Sequence, residues 1–233
     1  MIVESFSVVI PSYNGKEFLR KTLLALKKST SQPLRCIVVD DASVDGTFQM
    51  LKKEFPEVMA VRNEKNLGPT ASRNRGAKKT EGDAIVFIDN DVLVRPDSID
   101  RLLDFLSKTI NAGMVGGTLI DEKGRNIPWN MGKKLGTGLI REYDSNREVS
   151  WVAEGFIAVR KELFDVIGGF DEWFFMTGEG PDLSERMRKR GFKTYFVKDA
   201  VVDLRESHTH PRWKRKIWSW MQFPKFYFKH GFR

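Results

Sequence analysis

Residues 84–91 read AIVFIDND, and this stretch decides the fold class. Its first five residues are apolar without interruption, which is typical of a strand that is buried on both faces of a sheet. The run ends abruptly in three polar residues. Similar apolar runs lie upstream at residues 6–10 (FSVVI) and 36–39 (CIVV), and each of them also ends in a polar cluster. The pattern predicts several parallel strands whose ends carry polar side chains.

Amphipathic segments separate these strands. In residues 16–28, four large apolar side chains lie on one helical face and lysines lie opposite them. The alternation of buried strands and helices predicts an α/β fold with a mostly parallel sheet that helices cover on both faces. Residues 121–150 are polar and contain glycine, and they read as a long loop. The remaining predicted elements are helices at 45–54, 69–80, 96–108, 161–167 and 181–190 and strands at 58–62, 151–159 and 192–197.

Length and composition fit one large domain. The chain has 233 residues, of which 41% are hydrophobic, and Cys36 is its only cysteine, so no intramolecular disulfide forms. The sequence shows no signal-peptide pattern and no apolar run of the roughly 20 residues that a membrane span needs. We therefore expect a reducing, cytoplasmic location. The net charge of +8 favours anionic partners.

Three predicted strands end in polar clusters that we expect to lie together. In open α/β sheets, ligands bind beyond the carboxyl ends of the strands. Such a rim can bind a base, a ribose and a metal-bound diphosphate. The clusters are Pro11, Ser12, Tyr13 and Asn14 after the first strand, Asp40 and Asp41 after the second, and Asp89, Asn90 and Asp91 after the fourth.

Asp89 and Asp91 are the predicted metal ligands. Two carboxylates one residue apart at the end of a buried strand suit Mg²⁺ or Mn²⁺, which prefer carboxylate and phosphate oxygens. A polar turn that caps the helix after Pro96 is the alternative interpretation. Asp41 has two interpretations, because it can accept a hydrogen bond from the imide N–H of uracil or thymine, or cap the following segment.

The chain resembles the family-2 inverting glycosyltransferases of the GT-A fold. The matching strings extend from about Phe6 to Val197. They are SVVIPSYNGKEFLRKTL, VVDDASVDGT, NEKNLGPTASRNRGA, EGDAIVFIDNDV and GGFDE..FFMTGE..DLSERMRKRGFKTYFV. The resemblance implies a single GT-A catalytic domain over 1–207, with a nucleotide-binding half at 1–95 and an acceptor half at 96–207. A basic aromatic tail covers 208–233.

This resemblance also implies the chemistry. A hexosyl or deoxyhexosyl group would pass with inversion from a nucleoside-diphosphate sugar to a glycan or lipid-linked acceptor, as in surface-polysaccharide synthesis, rhamnosyltransferases included. Asp91 and Asp89 would hold Mn²⁺ or Mg²⁺. The residues implied to bind the nucleotide sugar are Pro11, Tyr13, Asn14, Asp41, Asn66, Arg73, Asp89 and Asn90.

The catalytic base is the first departure from the family pattern. Many relatives read E-D-x-D-L, and the first Asp is their usual base, but here that position is Gly180. Because an attacking sugar hydroxyl needs a carboxylate within hydrogen-bond reach, Glu179 is our first candidate. Asp182 is the second, although it also suits the capping of a helix N-terminus. A phosphate acceptor would need no base.

A metal-binding histidine is the second departure. Relatives often carry it after the last strand, where this chain has Leu204. His208 and His210 follow closely, and we name His208 as a possible third metal ligand because imidazole binds Mn²⁺. A surface pair of histidines before a basic tail is the alternative interpretation.

The tail from residue 211 has seven basic and eight aromatic residues and no acidic residue. This composition suits an amphipathic element at an anionic membrane surface, which would place the protein peripherally at the inner face of the cell membrane. Alternatively, the aromatic residues pack on this protein or on a second subunit. No nucleic-acid-binding motif accompanies the charge.

Two other functions compete with the transferase. One is a non-catalytic protein of the same fold that binds nucleotide sugars, which the departures at Gly180 and Leu204 favour. The other is a nucleotidyltransferase, which normally has a glycine-rich basic loop after the first strand, where this chain reads SYNG.

Overall fold

The computed structural model describes residues 2–127, 131–132, 145–205 and 224–231. A central sheet has the strand order β3-β2-β1-β4-β10-β6-β11-β5, and β8 pairs with β11. The strands are β1 (Phe6–Ser12), β2 (Arg35–Asp40), β3 (Met59–Arg62), β4 (Ala84–Ile88), β5 (Val92–Val94), β6 (Ala112–Ile120), β7 (Met131–Gly132), β8 (Arg147–Val149), β9 (Trp151–Val152), β10 (Phe156–Arg160) and β11 (Lys193–Leu204). The helices are α1 (Lys16–Leu26), α2 (Thr47–Glu54), α3 (Pro69–Ala77), α4 (Ser98–Lys108), α5 (Lys161–Val166) and α6 (Glu179–Arg188). Residues 224–230 form a C-terminal helix.

The sheet has two covered faces, as the apolar runs predict. Successive side chains of a strand point to opposite faces. Val8 and Ile10 of β1 belong to one core cluster with residues of α1, α2 and α4, whereas Val9 belongs to a second cluster with residues of α3, α5 and α6. The same alternation occurs in β4, where Ile85 and Phe87 lie in the second cluster. The continuous apolar pattern of these strands follows from burial on both sides.

Strand direction divides the sheet. Strands β1 to β4 run parallel to one another, which confirms the α/β class. Strand β10 runs antiparallel to both β4 and β6, and β5 is antiparallel to β11. The amino end of β10 therefore lies at the same edge as the carboxyl end of β4. We call this edge the rim.

The predictions for the chain after β4 need correction at three points. The predicted strand 151–159 is two short strands, separated by the turn at residues 153–155. Strands β5 and β6 were not predicted, and β6 contains glycines that allow close packing, since a β-carbon at Gly117 would lie 2.3 Å from the carbonyl oxygen of Ala200. The predicted loop 121–150 contains the short strands β7 and β8 and lies partly outside the described residues.

Candidate active site

The register of the sheet brings the three predicted clusters to the rim. Ser12 is paired with Asp40 across β1 and β2, and β4 lies on the other side of β1. Pairing of Ile88 with Phe156 then places the start of β10 beside the end of β4. Four strands therefore contribute polar residues to one edge.

The loop after β1 is joined to its neighbours by side-chain hydrogen bonds. The backbone N–H of Asn14 donates to Ser43 Oγ over 2.9 Å, and the Asn14 Oδ1 accepts from the N–H of Val44 over 2.8 Å. Asn90 Nδ2 donates to Ser12 Oγ over 3.1 Å. Pro11 is buried and Tyr13 is partly exposed beside them. The residues predicted to line a nucleoside pocket thus form one connected wall.

Asp41 is almost fully buried and organises the start of α3. Its carboxylate accepts hydrogen bonds from Asn63 Nδ2 and from the backbone N–H groups of Leu67 and Gly68, over 2.6, 2.9 and 2.8 Å. Asp41 therefore caps a distant loop and not the segment that follows it, which corrects that interpretation. A carboxylate can accept more than three hydrogen bonds. A further hydrogen bond from a nucleotide base to Asp41 therefore stays a prediction. Asn66 is exposed in the same loop.

Arg73 lies at the centre of a buried ionic cluster. Its side chain is 4% exposed, and its guanidinium donates to Asp89 Oδ1 over 2.6 Å and to Glu179 Oε1 over 3.0 Å. The guanidinium links the end of β4 to the first residue of α6, which are far apart in sequence. In this arrangement Arg73 neutralises and orients Asp89, a role that the sequence did not indicate.

Glu154 completes this ionic cluster, and the sequence analysis missed it. It lies in the turn before β10 and is partly exposed, and its Oε1 accepts a hydrogen bond from the N–H of Gly180. Burial, followed by the nearby negative charge of Glu179, raises the pKa of Glu154 to about 8. Burial also raises the pKa of Glu179, against the opposing effect of Arg73. The available signal was an acidic residue inside an otherwise apolar run.

Asp182, the second predicted base, has cationic partners on both oxygens. Its Oδ2 accepts from Arg186 Nε over 2.7 Å, and its Oδ1 contacts Lys229 Nζ at 2.6 Å and His230 Nε2 at 2.8 Å. Helix α6 begins at Glu179, its N-cap is Gly178, and no side chain caps it. The capping interpretation of Asp182 is therefore wrong, and this carboxylate holds the C-terminal helix instead.

The residues at the end of β4 suit a divalent cation only in part. Among the described residues, no group of three His, Cys, Asp or Glu side chains could hold a metal ion. Asp89 and Asp91 are both partly exposed at the rim, and Mg²⁺ or Mn²⁺ is commonly held by one or two carboxylates with donor phosphates and water. This donor set therefore fits a cation shared with a diphosphate. Leu204 is buried in the core, and His208 and His210 lie outside the described residues.

Comparison with known proteins identifies the family. Residues 7–168 match the family described as glycosyl transferase family 2. The chain belongs to this family. This family-2 chain is 30% identical to the N-acetylglucosaminyl-diphospho-decaprenol L-rhamnosyltransferase of Mycobacterium tuberculosis. The alignment covers 88% of this chain and 77% of that protein. The chain is 25% identical to the O-antigen chain rhamnosyltransferase WbaN of Salmonella anatum, with 88% of this chain and 67% of that protein covered.

Solved structures share the GT-A fold of this family-2 chain. The mannosyltransferase PcManGT of Pyrobaculum calidifontis, in complex with GDP-Man and Mn²⁺, superposes with a TM-score of 0.72 at 16% identity, over 97% of this chain and 65% of that one. Residues 1–349 of S. aureus TarS, in complex with UDP-GlcNAc, superpose with a TM-score of 0.68 at 21% identity. This superposition covers 89% of this chain and 61% of that one. The chain spans only 44% of the GalNAc-T7 structure, which it also matches.

No helix in the described part of the chain is both long enough and apolar enough to cross a membrane.

Proposed function

We propose that this chain transfers a sugar from a nucleoside-diphosphate sugar to a hydroxyl of a glycan or lipid-linked acceptor, with inversion at the anomeric carbon. The observation that carries this proposal is the ionic cluster of Arg73, Asp89, Glu154 and Glu179 at the rim. It joins a D-x-D carboxylate to further carboxylates at the point where nucleotide ligands of open α/β sheets bind. Transfer needs both a site for the diphosphate and an acceptor for a proton.

The donor would lie along the wall formed by the loops after β1, β2 and β4. Asp41 would hold the base through its remaining acceptor capacity, with Tyr13, Asn14 and Asn90 lining the ribose and diphosphate. Asp91, supported by Asp89, would hold Mn²⁺ or Mg²⁺. Such a cation neutralises the charge that develops on the departing diphosphate. Metal complexes of similar folds, such as that of PcManGT, support this assignment.

The relatives suggest the acceptor and the sugar. Two of them are named as rhamnosyltransferases, and one name includes N-acetylglucosaminyl-diphospho-decaprenol. We propose a deoxyhexose donor and a sugar on a polyprenyl diphosphate as the acceptor. Attack by a hydroxyl of that sugar requires proton removal, whereas a phosphate nucleophile would not.

A nucleotide panel tests this proposal. We expect one of UDP, GDP and dTDP with Mn²⁺ to stabilise the protein most in thermal unfolding, by about 2.7 kcal/mol at a concentration 100 times its dissociation constant. The corresponding deoxyhexose donor should then transfer to polyprenyl-diphospho-N-acetylglucosamine. The Asp41→Ala variant should bind that nucleotide more weakly, by roughly 1–3 kcal/mol.

The outcomes separate the competing functions. Binding of a nucleotide without any transfer or donor hydrolysis would favour the non-catalytic binding protein. No binding of any nucleoside diphosphate would contradict both functions. Unchanged affinity with lower stability in Asp41→Ala would leave Asp41 with its capping role alone.

We also propose that the C-terminal region contacts an anionic membrane surface. In its described part, Lys225 and Lys229 face the protein, where they contact Trp173 and Asp171. The Phe228 side chain is 86% exposed, and its ring packs edge-on against the partly exposed ring of Trp173. Such an exposed aromatic pair next to a basic segment is typical of interfacial anchors. Residues 206–223 lie outside the described residues.

Vesicle flotation tests this contact. We expect the protein to float with vesicles of phosphatidylglycerol and phosphatidylcholine, to lose binding as salt rises, and not to float with phosphatidylcholine alone. Phe228→Ala should weaken flotation, whereas Val44→Ala, which removes an exposed apolar side chain from another loop, should not. If equal amounts of protein float with both vesicle types at low salt, the electrostatic contact is refuted.

A further inference from the structure

We infer that Glu154 is the group that accepts the proton of the attacking hydroxyl, with Gly180 as the residue that makes room for it. This inference rests on the proposed transfer reaction. It assigns a catalytic role to a residue in the turn before β10, outside the positions to which the family resemblance pointed. Three observations on the cluster around Arg73 lead to it.

The backbone of Gly180 receives the carboxylate of Glu154. The Gly180 N–H donates to Glu154 Oε1, and a β-carbon at residue 180 would overlap that oxygen and lie 2.8 Å from Glu154 Cδ. A side chain at position 180 would therefore clash with Glu154 where it now lies. The space in which a side chain at residue 180 would begin is filled by the Glu154 carboxylate, which comes from the turn before β10.

The antiparallel direction of β10 brings Glu154 to the rim. Pairing of Phe156 with Ile88 places Gly155 opposite Asp89, whose N–H donates to the Gly155 carbonyl over 3.0 Å. A β-carbon at Gly155 would lie 3.3 Å from Asp89 Oδ2. Glu154 therefore directly precedes the residue whose carbonyl accepts from the N–H of Asp89. This position is next to the proposed site of the diphosphate.

The other carboxylates are less suited to take a proton from a substrate. Glu179 is 2% exposed and its Oε1 forms an ion pair with Arg73, whereas Glu154 is partly exposed. Asp182 is buried and bonded to Arg186, Lys229 and His230. A general base must reach the hydroxyl that it deprotonates, so exposure favours Glu154.

The step is then balanced. The acceptor oxygen forms a bond to the anomeric carbon, and the bond from that carbon to the β-phosphate oxygen breaks. The bonding electron pair leaves with the nucleoside diphosphate, and the hydroxyl proton passes to a Glu154 carboxylate oxygen. The acceptor nucleophile is accordingly a hydroxyl and not a phosphate.

The isosteric variant Glu154→Gln tests this assignment, because the amide oxygen can still accept from Gly180 N–H but is not a base. With the donor identified by the nucleotide panel and polyprenyl-diphospho-N-acetylglucosamine, we expect transfer to fall by roughly 10²–10⁴-fold. Nucleotide affinity and thermal midpoint should change little. Glu148→Gln, which alters an exposed glutamate paired with Lys193 on β8 and β11, is the matched control and should keep parental activity.

Chemical rescue separates a base from a structural carboxylate. Formate should restore part of the transfer by Glu154→Ala and should not restore transfer by Glu179→Ala. If Glu154→Gln transfers within about threefold of the parent, or if formate rescues only the Glu179 variant, the assignment to Glu154 is overturned while the transferase function stands. If the parent itself transfers no sugar in this assay, the proposed function fails and this inference fails with it.

Discussion

Replacement of Arg73 by methionine is expected to lower the free energy of unfolding by about 3–5 kcal/mol, the usual cost of removing one partner from a buried ion pair. Arg73→Met leaves Asp89 without its partner and, more seriously, leaves Glu179 as an uncompensated charge in the core. The loss should appear as a lower midpoint in urea denaturation. The dependence of the unfolding free energy on urea concentration should not change. We expect nucleotide binding to weaken as well, because Asp89 loses the contact that orients it.

A surface pair provides the control for this stability loss. Arg95 is 45% exposed and pairs with Asp203, and such exposed pairs contribute only about 0.2–1 kcal/mol. Arg95→Met should therefore cost less than about 1 kcal/mol. Adding Glu179→Gln to Arg73→Met should recover part of the loss, since it removes the unpaired charge. An Arg73→Met protein that is as stable as Arg95→Met would contradict the central role of this guanidinium.

The Asp91→Asn variant is expected to lose roughly 10²–10³-fold in transfer rate, because a bound cation contributes several kcal/mol of charge stabilisation and each 1.36 kcal/mol is a factor of ten. Asp91 is partly exposed at the rim, so its replacement by an amide should leave the fold intact. Nucleoside-diphosphate binding by the parent should weaken in EDTA and recover with Mn²⁺, whereas binding by Asp91→Asn should respond little to either.

An exposed aspartate far from the rim is the control for this variant. Asp104 lies on α4 and pairs with Lys108, and Asp104→Asn should retain parental activity and metal response. Equal nucleotide affinity of the parent with EDTA and with Mn²⁺ would refute metal-linked binding at Asp91. It would leave the family membership untouched, because that rests on sequence.

The first half of the chain was predictable because its strands are buried on both faces. Such strands show uninterrupted apolar runs, and the predicted β1, β2 and β4 agree with the structure to within two residues at each end. The helices between them follow from apolar periodicity. Because parallel strands end at the same edge of a sheet, the grouping of the clusters after β1, β2 and β4 also followed from the sequence.

The second half was harder to predict because its patterns are weaker. Glycines interrupt β6, and in the fold they allow close packing of neighbouring strands. The apolar run at 151–159 does not indicate the turn at residues 153–155. The sequence therefore predicts that Glu154 lies in a strand. Asp182 is the second candidate base in the sequence, and a helix cap is its alternative interpretation because it follows a proline near a helix start. Its actual partners include Lys229 and His230, which are more than forty residues away in sequence.

By itself, then, the sequence determined the family, the α/β class and the D-x-D carboxylates at the end of β4, since these depend on local apolar patterns and contiguous motifs. The tertiary structure alone decided which carboxylates surround Arg73. Local sequence does not specify whether a strand pairs parallel or antiparallel with its neighbour. The antiparallel direction of β10 brings Glu154 beside Gly180 and Asp89, and the resulting shared burial of like charges raises the pKa values of Glu154 and Glu179.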